Sequence, residues 1–374
     1  MNRKINRVAV LGSGIMGSRI ACHFANAGVS ALLLDIAPKE LLPDEQKKNL
    51  TLESKAVKNR IVNTSLQTAI KSNPSPLYHA SYAQRITTGN FSDNMKDIAS
   101  CDWIIEVVIE NLDIKKKVFD DVEKFRTAGS LITSNTSGIP IHLMTDGRSD
   151  DFKKHFCGTH FFNPPRYLPL LEIIPTPFTD KSVVDFLMYY GDRILGKTTV
   201  LCKDTPAFIA NRIGVFGIMS LFHAVAETGL TVSEIDKLTG PVLGRPKSAT
   251  FRTCDVVGLD TLVHVANDAY KNLPDDEQRD KFILPPFISK MIENKWLGDK
   301  TKQGFYKKIK NTDGKSEILE LDLKTLEYIP QKKTKFATLE TTKTIDDLPT
   351  RLKMLVAGTD NAGEFYRKTF YSCW

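Results

Sequence analysis

Short apolar runs alternate with amphipathic helical patterns over residues 1 to about 203 of this chain. Several of the runs are apolar at every position, which is typical of parallel strands that are buried on both faces. Strands that alternate with helices in this way predict an α/β, Rossmann-type doubly wound sheet. The strand candidates are Val8–Leu11, Ala31–Leu34, Trp103–Val108, Leu131–Ser134, Gly158–Phe162, Leu171–Ile174 and Thr198–Cys202.

A long polar segment, about residues 38–93, separates the second of these runs from the third. Its apolar positions recur at helical spacing, for example at Ala56, Ile61, Leu66 and Ile70, before prolines interrupt the pattern. Because long loops without secondary structure are uncommon in compact domains, we predict a helical insertion here.

The character of the sequence changes at Asp204, beyond which the strand patterns disappear. Thr205 and Pro206 are typical of a helix start, since proline is favoured at the first helical position. Residues 204–306 therefore predict an all-α C-terminal domain. A broad apolar face supports this prediction and consists of Phe208, Ile209, Ile213, Phe216, Met219, Leu221 and Phe222.

The last residues, 307–374, differ again. Lys308–Gly314 is polar and predicts a turn, and Lys332–Lys343 is rich in lysine and threonine, which is typical of a linker. A helical pattern then begins at Ala362 and continues to Phe370. We interpret this stretch as a linker followed by the start of a possible second helical repeat.

Composition narrows the class of protein. The chain has 374 residues, of which 41% are hydrophobic and 25% charged, as in ordinary globular proteins. No apolar run approaches the roughly 20 residues that span a bilayer, and no signal-like segment follows the N-terminus. We therefore predict a cytoplasmic protein without a membrane span.

Charge and cysteine content add little to this picture. The net charge of +7 comes from lysines spread along the chain, which favours a solvated surface and is compatible with a phosphate-bearing ligand. No nucleic-acid motif is present, so we predict no nucleic-acid partner. The wide spacing of the cysteines argues against a zinc site or a disulfide framework, so we predict no bound metal. We expect free and mostly buried thiols at Cys22, Cys101, Cys157, Cys202, Cys254 and Cys373.

A glycine motif follows the first strand candidate and opens the first helix. Gly12 permits a tight turn, Gly14 lets a pyrophosphate approach the backbone, and Gly17 lets helix and strand pack closely. Asp35, at the end of the next strand, would accept hydrogen bonds from ribose hydroxyls and repel a 2′-phosphate. The pattern also fits a glycine-rich turn with a surface aspartate. However, the strand before the motif, the helix after it and the position of Asp35 all fit a dinucleotide site, so we predict that NAD binds here.

His160 lies on the run Gly158–Phe162 and is a candidate general base, since histidine titrates near neutral pH. Glu172 lies within the neighbouring apolar run, where an acid is costly unless it is paired. A carboxylate on the second ring nitrogen would orient the base and stabilise the imidazolium. Most histidines are simply satisfied core or surface residues, and we interpret the other six in that way.

The segment Ser134–Ser137 ends another strand, and the carboxyl ends of strands in such a sheet face the ligand crevice. Its hydroxyls and amide could bind reacting groups, although serine and threonine also favour turns and helix caps. Glu106 and Glu110, near the end of Trp103–Val108, are similarly placed. Alone, none of these residues predicts a function.

Together the motifs resemble the L-3-hydroxyacyl-CoA dehydrogenases of fatty-acid β-oxidation. The resemblance covers about residues 5–306, and its motifs follow one another in the order of the family, which makes it specific. The matching motifs are Gly12–Gly17, Glu110–Leu112, Ser134–Ser137, His160–Pro164, Asp204–Pro206, Asn211–Arg212 and Lys300–Tyr306.

The resemblance implies catalytic roles. His160 would be the general base and Glu172 the carboxylate that orients it, while Ser137 and Asn211 would hydrogen-bond the substrate near its reacting oxygens. Hydride would pass from C3 of an L-3-hydroxyacyl-CoA to NAD as His160 takes the hydroxyl proton, which gives a 3-oxoacyl-CoA. Members of the family work as dimers through the helical domain, so we expect a homodimer.

The resemblance also extends the cofactor site, because Glu110, Lys115, Asn163 and Lys300 match positions that contact the nicotinamide cofactor. Residues 38–93 match a helical arm that helps to hold CoA, where Lys55, Lys58 and Arg60 are candidates to meet its phosphates. The complete predicted cofactor-binding set is Gly12, Gly14, Ile15, Met16, Gly17, Asp35, Glu110, Lys115, Ser137, Asn163 and Lys300.

Two departures from the family pattern matter. Gly138 stands where the family commonly has another serine, which is expected to loosen that turn. Gly244–Arg252 resembles the multifunctional members, in which the dehydrogenase is joined to an enoyl-CoA hydratase and a second helical repeat follows a linker. We therefore expect the chain to be a truncated dehydrogenase part of such a protein, without hydration activity.

Two other functions are compatible with the same plan. One is a non-catalytic relative that binds NAD or CoA, since fold alone does not fix function. The other is a dehydrogenase of a different small hydroxy acid. The intact set His160, Glu172, Ser137 and Asn211 argues against the first, and the motif His160–Pro164 together with Asn211 favours acyl-CoA over the second.

Overall fold

The computed structural model describes residues 3–310 and 314–371, and the chain forms two compact units, Met1–Ile209 and Ala210–Trp374. In the described ranges, no helix combines the length and the apolar character that crossing a membrane would need. The prediction of a Rossmann-type sheet followed by a helical domain is confirmed.

The first unit is built on one eight-stranded sheet in the order β3-β2-β1-β4-β5-β6-β7-β8. Every neighbouring pair is parallel except β6 and β7, which are antiparallel. The strands are β1 (Arg7–Leu11), β2 (Ser30–Asp35), β3 (Ile86–Asn90), β4 (Trp103–Glu106), β5 (Leu131–Ser134), β6 (Phe156–Phe161), β7 (Leu170–Pro175) and β8 (Thr198–Leu201).

Helices cover both faces of this sheet. Alternate residues of β1 divide between two cores, with Val8 and Val10 on one face and Ala9 and Leu11 on the other, and both sets are fully buried. The helices of this unit are α1 (Ile15–Asn26), α2 (Pro43–Lys47), α3 (Lys55–Lys58), α4 (Arg60–Ile70), α5 (Phe91–Asn94), α6 (Leu112–Phe125), α7 (Asp150–His155) and α8 (Lys181–Arg193).

The segment 38–93 contains helices, as the sequence predicts, but it also contains β3, which the sequence analysis missed. Strand β3 lies at the edge of the sheet, pairs with β2 and is only partly buried. Its sequence, Ile86–Asn90, is mostly polar because one side of an edge strand meets solvent, so no apolar run marks it.

The junction between the units corrects a second prediction. The helix expected to begin at Thr205 begins instead at Ala210, because Ala207 and Phe208 have φ values of 61° and 50°. These values lie in the left-handed region, which is incompatible with a right-handed helix.

The second unit is mainly helical and is centred on aromatic side chains. Phe222 stacks on Phe251, their ring centroids 5.5 Å apart, and Phe305 and Phe287 pack against this pair. Its helices are α9 (Ala210–Thr228), α10 (Val232–Thr239), α11 (Phe251–Val257), α12 (Leu259–Asn272), α13 (Pro286–Glu293), α14 (Ala337–Thr342), α15 (Leu348–Ala357) and α16 (Asn361–Tyr371).

The region beyond residue 306 is more ordered than the sequence suggests. Strands β9 (Tyr306–Lys310), β10 (Ser316–Leu321) and β11 (Tyr328–Pro330) form an antiparallel sheet, where a turn was predicted for Lys308–Gly314. Residues 311–313 of that turn lie outside the described ranges. Lys332–Lys343 contains α14 rather than only a linker. Leu321, Phe336, Leu355 and Tyr366 join the core of this unit.

Candidate active site

The glycine motif joins β1 to α1 at the carboxyl edge of the sheet, and its three glycines differ in what surrounds them. Gly12 has a φ of 105°, and a Cβ there would lie 2.5 Å from the carbonyl oxygen of Val107. A Cβ on Gly17 would lie 1.8 Å from the carbonyl oxygen of Gly12. A Cβ on Gly14 would meet no atom within 4 Å. Gly12 and Gly17 are thus required by packing, whereas Gly14 leaves its backbone open to a ligand.

The first turn of α1 supplies the rest of an anion site. Its N-cap is Gly14, so no side chain caps the first amides of this 12-residue helix. Such amides and the positive end of the helix dipole favour a phosphate. Ile15 is mostly exposed beside the loop, while Met16 is half-buried and packs against the core. The residues present therefore fit a pyrophosphate.

Asp35 is the last residue of β2 and lies against the glycine loop. Its Oδ2 accepts hydrogen bonds from the backbone N–H of Ser13 at 2.6 Å and from Ser13 Oγ at 2.5 Å. Its Oδ1 accepts the N–H of Ile36 at 2.7 Å. The carboxylate keeps further lone pairs for ribose hydroxyls. The contact with Ser13 was not predicted from the sequence, because serine is common in glycine turns.

His160 and Glu172 face each other across the antiparallel pair β6 and β7. His160 Nδ1 lies 2.8 Å from Glu172 Oε2, and both side chains are buried. A carboxylate can only accept, so Nδ1 carries the hydrogen, and in the neutral ring Nε2 then holds the lone pair. Nε2 lies 3.1 Å from Ser137 Oγ. The neutral ring held in this way is the tautomer of a base that can accept a proton at Nε2.

Two neighbours of Glu172 besides His160 are the backbone of Ile209 and the thiol of Cys202. Its Oε1 accepts the N–H of Ile209 at 3.1 Å, and Ile209 directly follows the left-handed residues Ala207 and Phe208. Burial, and then the negative charge of Glu172, raises the pKa of the Cys202 thiol to about 12. That thiol therefore stays protonated beside the carboxylate.

Aromatic side chains surround the base. The ring centroid of Phe162 lies 4.4 Å from that of His160, and that of Phe208 lies 5.8 Å away. Such apolar walls limit water around the imidazole and strengthen its interaction with Glu172.

The four side chains of the segment Ser134–Ser137 have different hydrogen-bond partners. Ser134 Oγ donates to Glu106 at 2.5 Å, and Asn135 Oδ1 accepts the N–H of Phe161 at 2.9 Å. Thr136 Oγ1 donates to Glu110 at 2.5 Å. Of this segment, Ser137 is the residue whose hydroxyl reaches His160. The first three therefore support neighbouring strands and loops.

Glu110 holds the turn that carries Ser137. Its Oε1 accepts the backbone N–H groups of Ser137 at 2.9 Å and Gly138 at 3.2 Å. Burial acts to raise the pKa of Glu110, but the charge of Lys115 and the hydrogen bonds from Thr136 and Ser137 outweigh it and lower the pKa. A Cβ on Gly138 would meet no atom within 4 Å, so glycine there is not enforced by packing.

The other predicted residues lie in separate places. Asn163 is exposed just beyond the end of β6, and Lys115 is buried in the first turn of α6. Asn211 and Lys300 belong to the second unit, where Asn211 is half-buried on α9 and Lys300 pairs with Asp260.

The candidate cations for CoA phosphates are partly engaged within the first unit. Lys58 lies 2.7 Å from Glu53 and 3.1 Å from Asp93, and Arg60 pairs with Glu45.

Comparison with known families places both units in one family. The model of the 3-hydroxyacyl-CoA dehydrogenase NAD binding domain matches residues 7–205, and that of the 3-hydroxyacyl-CoA dehydrogenase C-terminal domain matches residues 208–308.

Similar proteins carry the same name. A probable 3-hydroxyacyl-CoA dehydrogenase of Bacillus subtilis is 48% identical over 97% of this chain and 45% of its own length. A probable 3-hydroxyacyl-CoA dehydrogenase of Deinococcus radiodurans is 44% identical over 82% of this chain and 84% of its own length. The chain thus spans less than half of the first relative and most of the second.

A solved structure agrees with these matches. The crystal structure of Mycobacterium tuberculosis FadB2 is 28% identical and covers 81% of this chain and 99% of its own, with a TM-score of 0.66.

Proposed function

The chain belongs to the 3-hydroxyacyl-CoA dehydrogenase family, and on that premise we propose that it oxidises L-3-hydroxyacyl-CoA to 3-oxoacyl-CoA, reversibly, with NAD⁺. The observation that carries this proposal is the position of the His160 imidazole, between the carboxylate of Glu172 and the hydroxyl of Ser137. A non-catalytic binding protein has no need of a buried base that is oriented in this way.

His160 moves the proton in the proposed reaction. The substrate hydroxyl gives its proton to Nε2, and the electron pair of that O–H bond forms the carbonyl at C3. The hydrogen on C3 leaves with its bonding pair, and NAD⁺, when bound, supplies the acceptor for this hydride. Glu172 stabilises the resulting imidazolium through Nδ1–H. Ser137 positions the substrate oxygen near Nε2.

The cofactor site rests on the glycine loop, the start of α1 and Asp35. The open backbone at Gly14 accommodates the pyrophosphate, and the carboxylate of Asp35 accepts ribose hydroxyls and repels a 2′-phosphate. We assign Glu110, Lys115, Ser137, Asn163 and Lys300 to the nicotinamide side of the site, and Asn211 to the substrate oxygens, by their match to the family motifs.

We also propose a homodimer that forms through the helical unit of a cytoplasmic enzyme of fatty-acid β-oxidation. Large apolar side chains on α9 and α11 support an interface, since Ile213 is 66% exposed and Val256 and Val257 are 57% and 56% exposed. Sedimentation of the purified chain measures this assembly directly.

The proposed substrate class is tested by the loss of NADH absorbance with acetoacetyl-CoA or with free acetoacetate. Rapid NADH oxidation with the thioester alone supports the proposal. Equal rates with the free acid would indicate a dehydrogenase of small hydroxy acids. No turnover with either, in a chain that binds NADH, would indicate a binding protein.

A further inference from the structure

Glu106 ends strand β4 and is fully buried, yet the family resemblance gives it no role. Its Oε1 accepts the N–H of Val108 at 2.7 Å and contacts Lys115 Nζ at 2.8 Å, while its Oε2 accepts Ser134 Oγ at 2.5 Å. Burial raises the pKa of Glu106, and the charge of Lys115 opposes that rise. An acid in such a place is costly unless its partners hold it.

Lys115 links this carboxylate to Glu110. The lysine is 1% exposed, and its ammonium lies 2.8 Å from Glu106 Oε1, 3.3 Å from Glu110 Oε2 and 3.4 Å from the carbonyl oxygen of Val108. The ammonium donates to Glu106 Oε1 and to the carbonyl oxygen of Val108, and Glu110 Oε2 is its second ion-pair partner. Its charge therefore acts mainly on the two glutamates.

Glu110 connects Lys115 to the turn that carries Ser137. One carboxylate oxygen contacts Lys115, and the other accepts the N–H groups of Ser137 and Gly138 and the hydroxyl of Thr136. Ser137 Oγ in turn lies 3.1 Å from His160 Nε2. A continuous series of short contacts thus runs from the end of β4 to the base on β6.

We propose that Glu106 is a positioning residue, which acts through Lys115 and Glu110 to set the place of Ser137 beside His160. This inference rests on the proposed function. With Glu106 in place, Lys115 is shared between two acids and Glu110 stays under the Ser137 turn. Without the charge of Glu106, Lys115 draws Glu110 towards itself and the turn shifts.

The substitution Glu106→Gln tests this role, because the amide is similar in size and can still accept from Val108. With acetoacetyl-CoA and NADH, we expect kcat to fall roughly 10- to 100-fold, since a small misplacement near the reacting atoms has effects of that size. The Kd for NADH should change less than kcat does, because the proposed pyrophosphate and ribose contacts at the glycine loop and Asp35 are left in place.

A double-mutant cycle separates positioning from a purely structural effect. In a Lys115→Met background, Glu106→Gln should change kcat by less than about twofold, since the link to Glu110 is already lost. Independent effects that multiply would overturn the proposal, as would an unchanged kcat in Glu106→Gln. Glu123→Gln is the control, because Glu123 lies on α6, the helix that carries Lys115, but accepts the N–H of Ser149.

A measurement that does not depend on turnover tests the role of Glu106 separately from the proposed dehydrogenase activity. The ¹⁵N shift of His160 Nε2 reports its contact with Ser137, and we expect it to differ from the wild type in Glu106→Gln but not in Glu123→Gln. An unchanged shift contradicts the proposal even if the wild type shows no dehydrogenase activity. Should Glu106→Gln fail to fold, the double variant Glu106→Gln with Lys115→Met removes both charges of the buried pair Glu106–Lys115 at once. That variant should show the altered shift, and a wild-type shift would contradict the proposal.

Discussion

His160 and Glu172 are directly opposed on antiparallel strands, and this register brings His160 Nδ1 to 2.8 Å from Glu172 Oε2. Strand pairing, rather than a loop, therefore sets the orientation of the base. Side chains that point to the same face of two paired strands lie close together, which makes the contact rigid.

The substitution Glu172→Gln should remove the charge while it keeps an acceptor for Ile209. We expect kcat with acetoacetyl-CoA to fall roughly 100- to 10,000-fold, because loss of the orienting carboxylate costs both the reactive tautomer and the stabilised imidazolium. Steady-state rates at saturating NADH measure this effect. A kcat within about threefold of the wild type, in a folded variant, would show that Glu172 only fills space.

Asp35 should determine the choice of cofactor. In Asp35→Ser, the loss of the carboxylate removes repulsion of a 2′-phosphate, so the ratio of NADPH to NADH in kcat/KM should rise roughly 10- to 100-fold. The control is Asp35→Glu, which keeps the charge and should keep the preference for NADH. If both variants retained the wild-type ratio, discrimination would have to lie elsewhere.

Two substitutions in the glycine loop, Gly17→Ala and Gly14→Ala, should separate an effect on folding from an effect on cofactor binding. Gly17→Ala places a Cβ 1.8 Å from the carbonyl oxygen of Gly12, so we expect a loss of about 2 kcal/mol or more in stability. Gly14→Ala meets no atom of the chain within 4 Å, so the protein should fold normally but bind NADH at least roughly tenfold more weakly. Thermal unfolding and fluorescence titration give the two quantities. Normal NADH affinity in Gly14→Ala would place the pyrophosphate away from this glycine.

A buried histidine should make the first unit sensitive to acid. Burial, and then the charge of Lys197, lowers the pKa of His23 to about 4 from an ordinary value of 6.5, while its bond to the Leu195 carbonyl opposes the shift. Between these two values the unfolded chain binds more protons than the folded chain, so stability falls as pH falls. This group should account for about 2 kcal/mol of the loss between pH 7 and pH 5.

Urea unfolding at the two pH values measures that loss in the wild type and in His23→Gln, which keeps a donor for the Leu195 carbonyl. The variant should lose about 2 kcal/mol less than the wild type over the same interval. An equal loss in both proteins would assign the acid sensitivity to other groups.

The sequence predicted those parts of the molecule that depend on local pattern. Apolar runs identified β1, β2 and β4 to β8, and the residue types of His160 and Glu172 suggested their pairing. Other features were not predicted because they depend on tertiary contacts. Polar edge strands such as β3 carry no apolar run, and nothing local indicates left-handed backbone at Phe208.

The buried environment of Lys115 also escaped, since a lysine in the sequence DIKKK is typical of a solvated helix face. Only the packing of α6 brings its ammonium between Glu106 and Glu110. The strands β9 to β11 were missed for a similar reason, because lysines dominate Tyr306–Lys310 and their burial is slight.

The most direct test of the account is the rate of NADH oxidation by acetoacetyl-CoA in the wild type and in His160→Gln. Glutamine keeps a polar group opposite Glu172 but cannot exchange a proton near neutral pH. We expect rapid turnover in the wild type, and a fall in kcat of roughly 100-fold or more in the variant with NADH binding retained. Wild-type turnover in His160→Gln would contradict the assignment of His160 as the base.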